Sequence, residues 1–278
     1  MSPAPLPKYG RPPITEVVCG VYFQSLDNLQ VAHVGSLWER LRQDFPRTET
    51  LPPLPPTVIA NGPSDFQFQL QFGPFEASPF PRVWFVSADD AMLLQLQRDR
   101  LIINWRRRAE DSPYPSYDVI VAKLRGVLGL LVDFLAEQSL ATPELVGVEL
   151  AYVNALHFGR DLAGPSDVES VVPFLSWRPP AGSSLPSVNS LELSGLSWNA
   201  QLDLADGEGN LHIGLSTTQR PSDGQGLVRL DLLARKFSPV LETHAIWNWF
   251  DLAHASIVTT FSEITSRDVQ DRVWERHT

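Results

Sequence analysis

Val146, Val148, Leu150, Tyr152 and Asn154 alternate with Gly147, Glu149, Ala151 and Val153. This period of two predicts a strand over 146–156, with one apolar face and one mixed face. A second strand of the same kind is predicted at Ile14–Phe23, near the start of the chain. After it, Val31, Val34, Leu37, Trp38, Leu41 and Phe45 recur every three or four residues, the spacing of an amphipathic helix that Pro46 ends. Phe66, Phe68, Leu70 and Phe72 alternate with Gln67, Gln69 and Gln71, so one face is apolar and the other is lined by amides. Arg82–Val86 reads as an edge strand. Ala91–Gln97 and Leu101–Arg107 read as a hairpin turning at Arg98-Asp99-Arg100. From Tyr117, the positions Ile120, Leu124, Val127, Leu128, Leu131, Phe134 and Leu135 draw a wide apolar stripe that predicts a long helix over 117–137.

The order repeats beyond residue 140. The strand at 146–156 is followed by a predicted helix near Ser166–Leu175, a Pro, Gly and Ser loop at 179–187, and strands near 190–204, 210–218 and 226–236. Asp206-Gly-Glu-Gly209 marks the turn between the first two of these strands. Ile246, Trp249 or Phe250, His254, Ile257, Val258, Phe261 and Ile264 predict a closing helix over 245–264. The fold class expected is α+β, built from two repeated strand, helix, three strands, long helix units. Each unit would pack an antiparallel sheet on its long helix. The expected segments are a Pro-rich extended lead-in at 1–13, halves at 14–140 and 141–264, and a tail at 265–278 with one short helix.

Composition narrows the functional classes. Of the 278 residues, 43% are hydrophobic and 19% charged, enough apolar material for a real core. The net charge of -10 argues against non-specific nucleic-acid binding, which needs clustered cations to displace counterions. Arg106-Arg107-Arg108 is the local exception, read as a solvated basic cap on a strand end. Cys19 is the single cysteine and excludes a disulfide within the chain; its apolar strand setting predicts a buried structural thiol. No apolar run reaches the roughly 18 residues that mark a membrane span. A cytoplasmic protein is the expectation.

Several segments together resemble a family of bacterial proteins described as sporadically distributed and uncharacterised. They are Arg11-Pro-Pro-Ile-Thr-Glu-Val-Val18, Leu101-Ile-Ile-Asn-Trp105, Tyr117-Asp118, Val148-Glu-Leu-Ala-Tyr-Val-Asn154, and His254, Phe261, Ile264-Thr265 and Trp274 near the end. The family commonly has an Arg before the Tyr and Asn of the central strand, and Ala151 stands there in this chain. The resemblance implies no activity, substrate or catalytic residue. Patchy distribution is characteristic of genes in mobile or defence-related loci.

No catalytic constellation, cofactor motif or metal-ligand spacing is apparent. None of the six histidines has a second histidine at helical spacing, and His254, on the last apolar stripe, reads as a satisfied core or interface histidine. Asp89-Asp90 reads as a solvated acidic pair. Glu16 and Glu149 occupy matching places on the two central strands, where a duplicated fold would bring them together as a cation or proton site. The amide row Gln67, Gln69 and Gln71, with Gln95 and Gln97 facing it, is the candidate lining of a small-molecule cleft. Trp274, Arg272 and Arg276 are the candidate partner contacts of the tail, whose single large apolar residue docks on its own core, a second copy or a partner. The expected function is a non-catalytic protein-binding or assembly subunit of a bacterial, mobile or defence-related system, with a protein partner or a homo-oligomer. The alternatives are a small-molecule sensor and a metal-dependent hydrolase or nuclease using Glu16 and Glu149.

Overall fold

The proline-rich start is not wholly without regular structure. Lys8–Tyr9 (β1) pairs antiparallel with Arg276–His277, the last strand, and the Gly10 and Arg11 amides continue the ladder to the Glu275 and Trp274 carbonyls at 3.0 and 3.1 Å. The prolines remove their own donors only, so Lys8, Tyr9, Gly10 and Arg11 remain free to pair. The computed structural model describes residues 5–55, 80–109, 112–175, 195–220 and 223–277. Along the chain follow β2 (Ile14–Phe23), α1 (Val31–Leu41), β3 (Arg47–Leu51), β4 (Arg82–Val86), β5 (Met92–Gln97), β6 (Arg100–Arg106), α2 (Tyr117–Glu137) and β7 (Leu145–His157). Then come α3 (Val168–Val171), β8 (Ser197–Asp203), β9 (Asn210–Gln219), β10 (Gly226–Phe237), α4 (Thr243–Ile264), α5 (Arg267–Arg272) and β11 (Arg276–His277).

The larger strands form one antiparallel sheet in the order β3-β4-β5-β6-β2-β7-β10-β9-β8, a continuity on which the sequence was silent. The hairpin registers follow the predicted alternation: Leu94 faces Ile103 in β5–β6, and Ala200 faces Ile213 in β8–β9. One strand was not foreseen, and one expected helix needs correction. Arg47–Leu51 is a strand, paired from Arg47 opposite Val86 to Leu51 opposite Arg82, although its mostly exposed residues carry no apolar period. The helix expected over Ser166–Leu175 is a single α turn between two 3-10 turns. Pro165 and Pro173 bracket it, and each stops a helix from running through. The predicted strand at Phe66–Phe72 and the loop at 179–187 lie outside the described residues.

Two compact units emerge. One comprises 1–16, 151–234 and 251–278, and the other 17–150 and 235–250, so the division falls inside β2, β7, β10 and α4 and differs from a cut at 140/141. In the unit built on 17–150, Val17, Cys19, Val21 and Phe23 are buried, as is the whole α2 stripe from Ile120 to Leu135. Helix α2 packs against β6. Arg40 of α1 holds α2 through Glu137, its Nη1 donating to Oε1 at 3.0 Å. A Cβ on Gly147 would come within 2.2 Å of Phe237, whose ring also meets Tyr22 at 5.2 Å between centroids. Only glycine lets that ring lie on the strand. In the other unit, Tyr152, Leu156, Val228, Leu230, Leu232 and Ala234 are buried. There Asn154 donates from Nδ2 to the Leu230 carbonyl at 3.0 Å.

Candidate binding cleft and buried ion pairs

Glu149 sits on the mixed face of β7, where a carboxylate among apolar neighbours must find a counter-charge. It finds Arg235 of β10, whose Nε and Nη2 each donate to Oε2 at 2.9 Å. The Tyr22 hydroxyl also donates to Glu149; burial first, and then the Glu149 charge, hold its phenol well above the usual range. The Cβ that any other residue would place at Gly20 would meet Glu149 Cγ at 3.0 Å, so the glycine makes room for the carboxylate. The Arg100 guanidinium lies 5.2 Å over the Tyr22 ring. It donates to Asp99 at 2.9 and 2.7 Å and to the Pro55 carbonyl at 2.8 Å. Arg100 therefore belongs to β6 and is buried, not part of an exposed turn. Among the described residues, the two arginines thus meet two carboxylates in direct ion pairs.

The second carboxylate of the expected pair, Glu16, belongs to the other unit. There its charge helps to raise the Asp231 carboxyl, after burial and against the opposing pull of Arg229. Glu149 is spent on Arg235, and among the described residues no group of three or more His, Cys, Asp or Glu side chains is placed to hold a metal ion. The amides are spent as well. Gln95 accepts from Trp84 Nε1 at 2.9 Å and donates to Asn104 at 2.7 Å. Gln97 binds both backbone groups of Leu54, at 2.9 and 3.3 Å. Gln67, Gln69 and Gln71 lie outside the described residues. The Cys19 thiol is buried, and burial with the Glu149 charge pushes it far above the range of a reactive thiol.

In the unit of the chain ends, His254 Nδ1 and the Tyr152 hydroxyl are 2.9 Å apart with their rings stacked, a satisfied histidine as its position on the stripe predicted. The tail turns inward. Trp274 is 1% exposed, packs on Phe261 at 5.1 Å and donates from Nε1 to Asp161 at 3.0 Å. Asp161 also accepts from the His157 amide at 2.6 Å and from Arg160 at 3.0 and 2.7 Å. Arg276 donates to Ser262 at 2.7 Å and to Gln270. Of the three candidate partner contacts, Trp274 is thus buried in its own unit, Arg276 is tied there, and Arg272 alone is exposed, paired with Asp268. A large ring with one N–H buries most stably when an acceptor waits for it, and Asp161 supplies one.

What the surface offers is a different tryptophan. Arg125 of α2 and Glu242, Thr243, His244, Trp247 and Asn248 at the start of α4 line an open cleft of about 620 Å³. The Arg125 guanidinium stacks over the Trp247 ring at 4.6 Å, and Trp247 stacks in turn on Phe250 at 5.9 Å. Phe250 is fully buried, so the half-buried Trp247 and the exposed Arg125 stand on a rigid base. Stacking occupies the face of the guanidinium and leaves its N–H edge for an acceptor. Sequence reasoning passed over both residues. The available signal was that Trp247 falls off the apolar stripe of its helix, where an aromatic has no core to fill. Neither a protein-family model nor a curated protein matches the chain.

Proposed function

We propose that this protein acts by binding another protein, without catalysis, and that the Trp247–Arg125 cleft is its contact surface. One observation carries the reading: the groups that chemistry would need are engaged internally, while an arginine-stacked tryptophan on a rigid base lines an open cleft. Trp and Arg are the side chains most often found to dominate protein interfaces, because they combine large contact area with directed hydrogen bonds. The Glu149–Arg235 pair weakens the hydrolase reading, and the internal bonding of Gln95 and Gln97 weakens the sensor reading. A cytoplasmic setting fits a single buried thiol, and among the described residues no helix is long and apolar enough to cross a membrane.

The resemblance to the sporadically distributed bacterial family supports the reading of such a binding subunit as part of a mobile or defence-related system. The repeat belongs to the same proposal. Read outward from β2 and β7, the sheet runs β6, β5, β4 on one side and β10, β9, β8 on the other, so last, middle and first strands of each half take matching places. Duplication of one strand, helix, three strands, long helix unit accounts for that order.

The test is light scattering of the purified chain together with affinity capture and identification of partners. Trp247→Ala and Arg125→Glu are expected to release the captured partner, or to convert an oligomer to monomer, with a loss of about 2 kcal/mol or more in binding for the tryptophan. A monomer whose captured partners are indifferent to both substitutions would remove the cleft from consideration.

A further inference from the structure

A second surface feature has no part in the binding cleft. Three arginines converge on one carboxylate. Arg47, at the start of β3, reaches Asp90 at 3.3 Å; Arg106, at the end of β6, reaches it at 2.8 Å; Arg108, just beyond, pairs with its other oxygen. Asp90 occupies the β4–β5 turn in the left-handed region, at φ 61°, and its amide bonds back to the Ser87 carbonyl at 3.1 Å. Its neighbour Asp89 keeps its charge but spends its hydrogen bonds on the turn itself. Asp89 accepts from the Ser87 hydroxyl at 2.6 Å and the Ala91 amide at 3.1 Å, which hold its carboxyl below the usual range. Among the described residues the ion pairs of all three arginines end on Asp90, so three positive charges meet one negative. On a chain of net charge -10, such an excess opposes the overall balance. The arms are reachable: the Arg47 and Arg108 side chains are each 51% exposed, while Arg106 is 23% exposed and fixes the centre.

We propose that Arg47, Arg106 and Arg108 form a subsite for the phosphate group of a small phosphate monoester, with Asp90 as its built-in competitor. The three guanidiniums outnumber the one carboxylate they contact, and a phosphate monoester, which carries about -1.5 to -2 at neutral pH, supplies further negative oxygens for them. Guanidinium forks meet phosphate oxygens in pairs of parallel hydrogen bonds, a geometry that a lysine cluster would not offer. Asp90 keeps the three cations together when no ligand is bound and gives up part of their N–H groups when one arrives. The Arg106-Arg107-Arg108 run is then more than a solvated strand cap. Its even positions point to the turn, while Arg107 lies over the Trp105 ring at 5.9 Å.

The experiment is calorimetric titration of the full chain, in phosphate-free buffer of low ionic strength, with phenyl phosphate and separately with inorganic phosphate. Both are expected to bind, and added salt to weaken them, because exposed charges are screened. The ester binding more tightly identifies an ester site; equal affinities identify a site for the free anion that shares the same chemistry. Arg47→Ala combined with Arg108→Ala is expected to weaken binding by about tenfold or more, and Asp90→Asn to strengthen it by about tenfold, through loss of the competing charge. Asparagine tolerates the left-handed turn, so the backbone of the second variant is not strained. Should that variant fail to fold, the arginine double variant decides by itself. No binding by wild type, unchanged affinity in the arginine variant, or weaker binding by a folded Asp90→Asn protein overturns the proposal. Binding of an oligonucleotide but of neither small anion also overturns it.

Discussion

Single residues in this protein are governed by where charge is placed relative to the sheet. Glu149 and Asp231 both project from strands, yet they have opposite fortunes. Glu149 has a bidentate arginine and a phenol, whereas Asp231 has the half-exposed Arg229 on one side and the charge of Glu16 on the other. Burial first, and then Glu16, raise the Asp231 carboxyl against the pull of Arg229. The folded state therefore holds this proton to higher pH than the unfolded chain does. Stability then falls as pH rises from about 4, the ordinary carboxylate value, through the raised folded midpoint. Carboxyl NMR titration should place Asp231 above that ordinary value and show it moving down in Glu16→Gln. Stability curves of Asp231→Asn should lack the corresponding loss. A midpoint that does not respond to Glu16→Gln would mean that burial alone sets it.

Among the elements, the tail departs furthest from its expected role. Helix α5 and β11 close over Phe261 with Trp274 as the filling. Gln270, fully buried, bonds the Ser262 and Thr265 carbonyls at 2.7 and 3.0 Å. Tyr9 joins the same cluster, its ring 5.6 Å from Phe261 and its hydroxyl 3.2 Å from Gln270. Trp274→Ala empties a buried site and strands the Asp161 acceptor, so it is expected to cost about 3–5 kcal/mol in denaturant unfolding. Partner capture by whatever fraction remains folded should be unchanged. A stable Trp274→Ala protein that loses its partner would return the tail to the binding surface. The same element shows how far pattern reading reaches. The short helix was legible from Thr265 with Asp268 three residues on, although the observed cap is Ser266, without a side-chain hydrogen bond. The inward turn of Trp274 was one of its three expected dockings, but its acceptor, Asp161, lies more than a hundred positions away and could not be named in advance.

In the sheet order β2 is the central strand, β7 and β10 follow it on one side, and each of the three has a neighbour on both sides. Their inward residues, from Val17 and Val148 to Val228, Leu230 and Leu232, are fully buried. Native-state hydrogen exchange is therefore expected to be slowest in Ile14–Phe23, Leu145–His157 and Gly226–Phe237, and fastest in β3 and β8 at the ends of the order. Equal protection across the sheet would contradict this grading.

The sequence by itself determined the elements whose side chains repeat with a clean period. Strand Ile14–Phe23 and the α2 stripe follow directly from it, because alternation and the 3.6-residue repeat are local and each names its own buried face. It also put His254 on the inner stripe as a histidine with a partner, and the structure finds it half-buried against Tyr152. Tertiary structure alone decided matters that depend on residues distant in the chain. Arg235 claims Glu149 across 86 positions, and Leu54 claims Gln97 across 43. Both pairings turn candidate ligand-binding side chains into internal ones. Arg47–Leu51 became a strand because β4 offered it a ladder, not because of its own pattern. Charge pairing and backbone pairing act through space and carry no fixed sequence interval. That is why the apolar framework was legible in advance, and why the fate of almost every polar candidate was not.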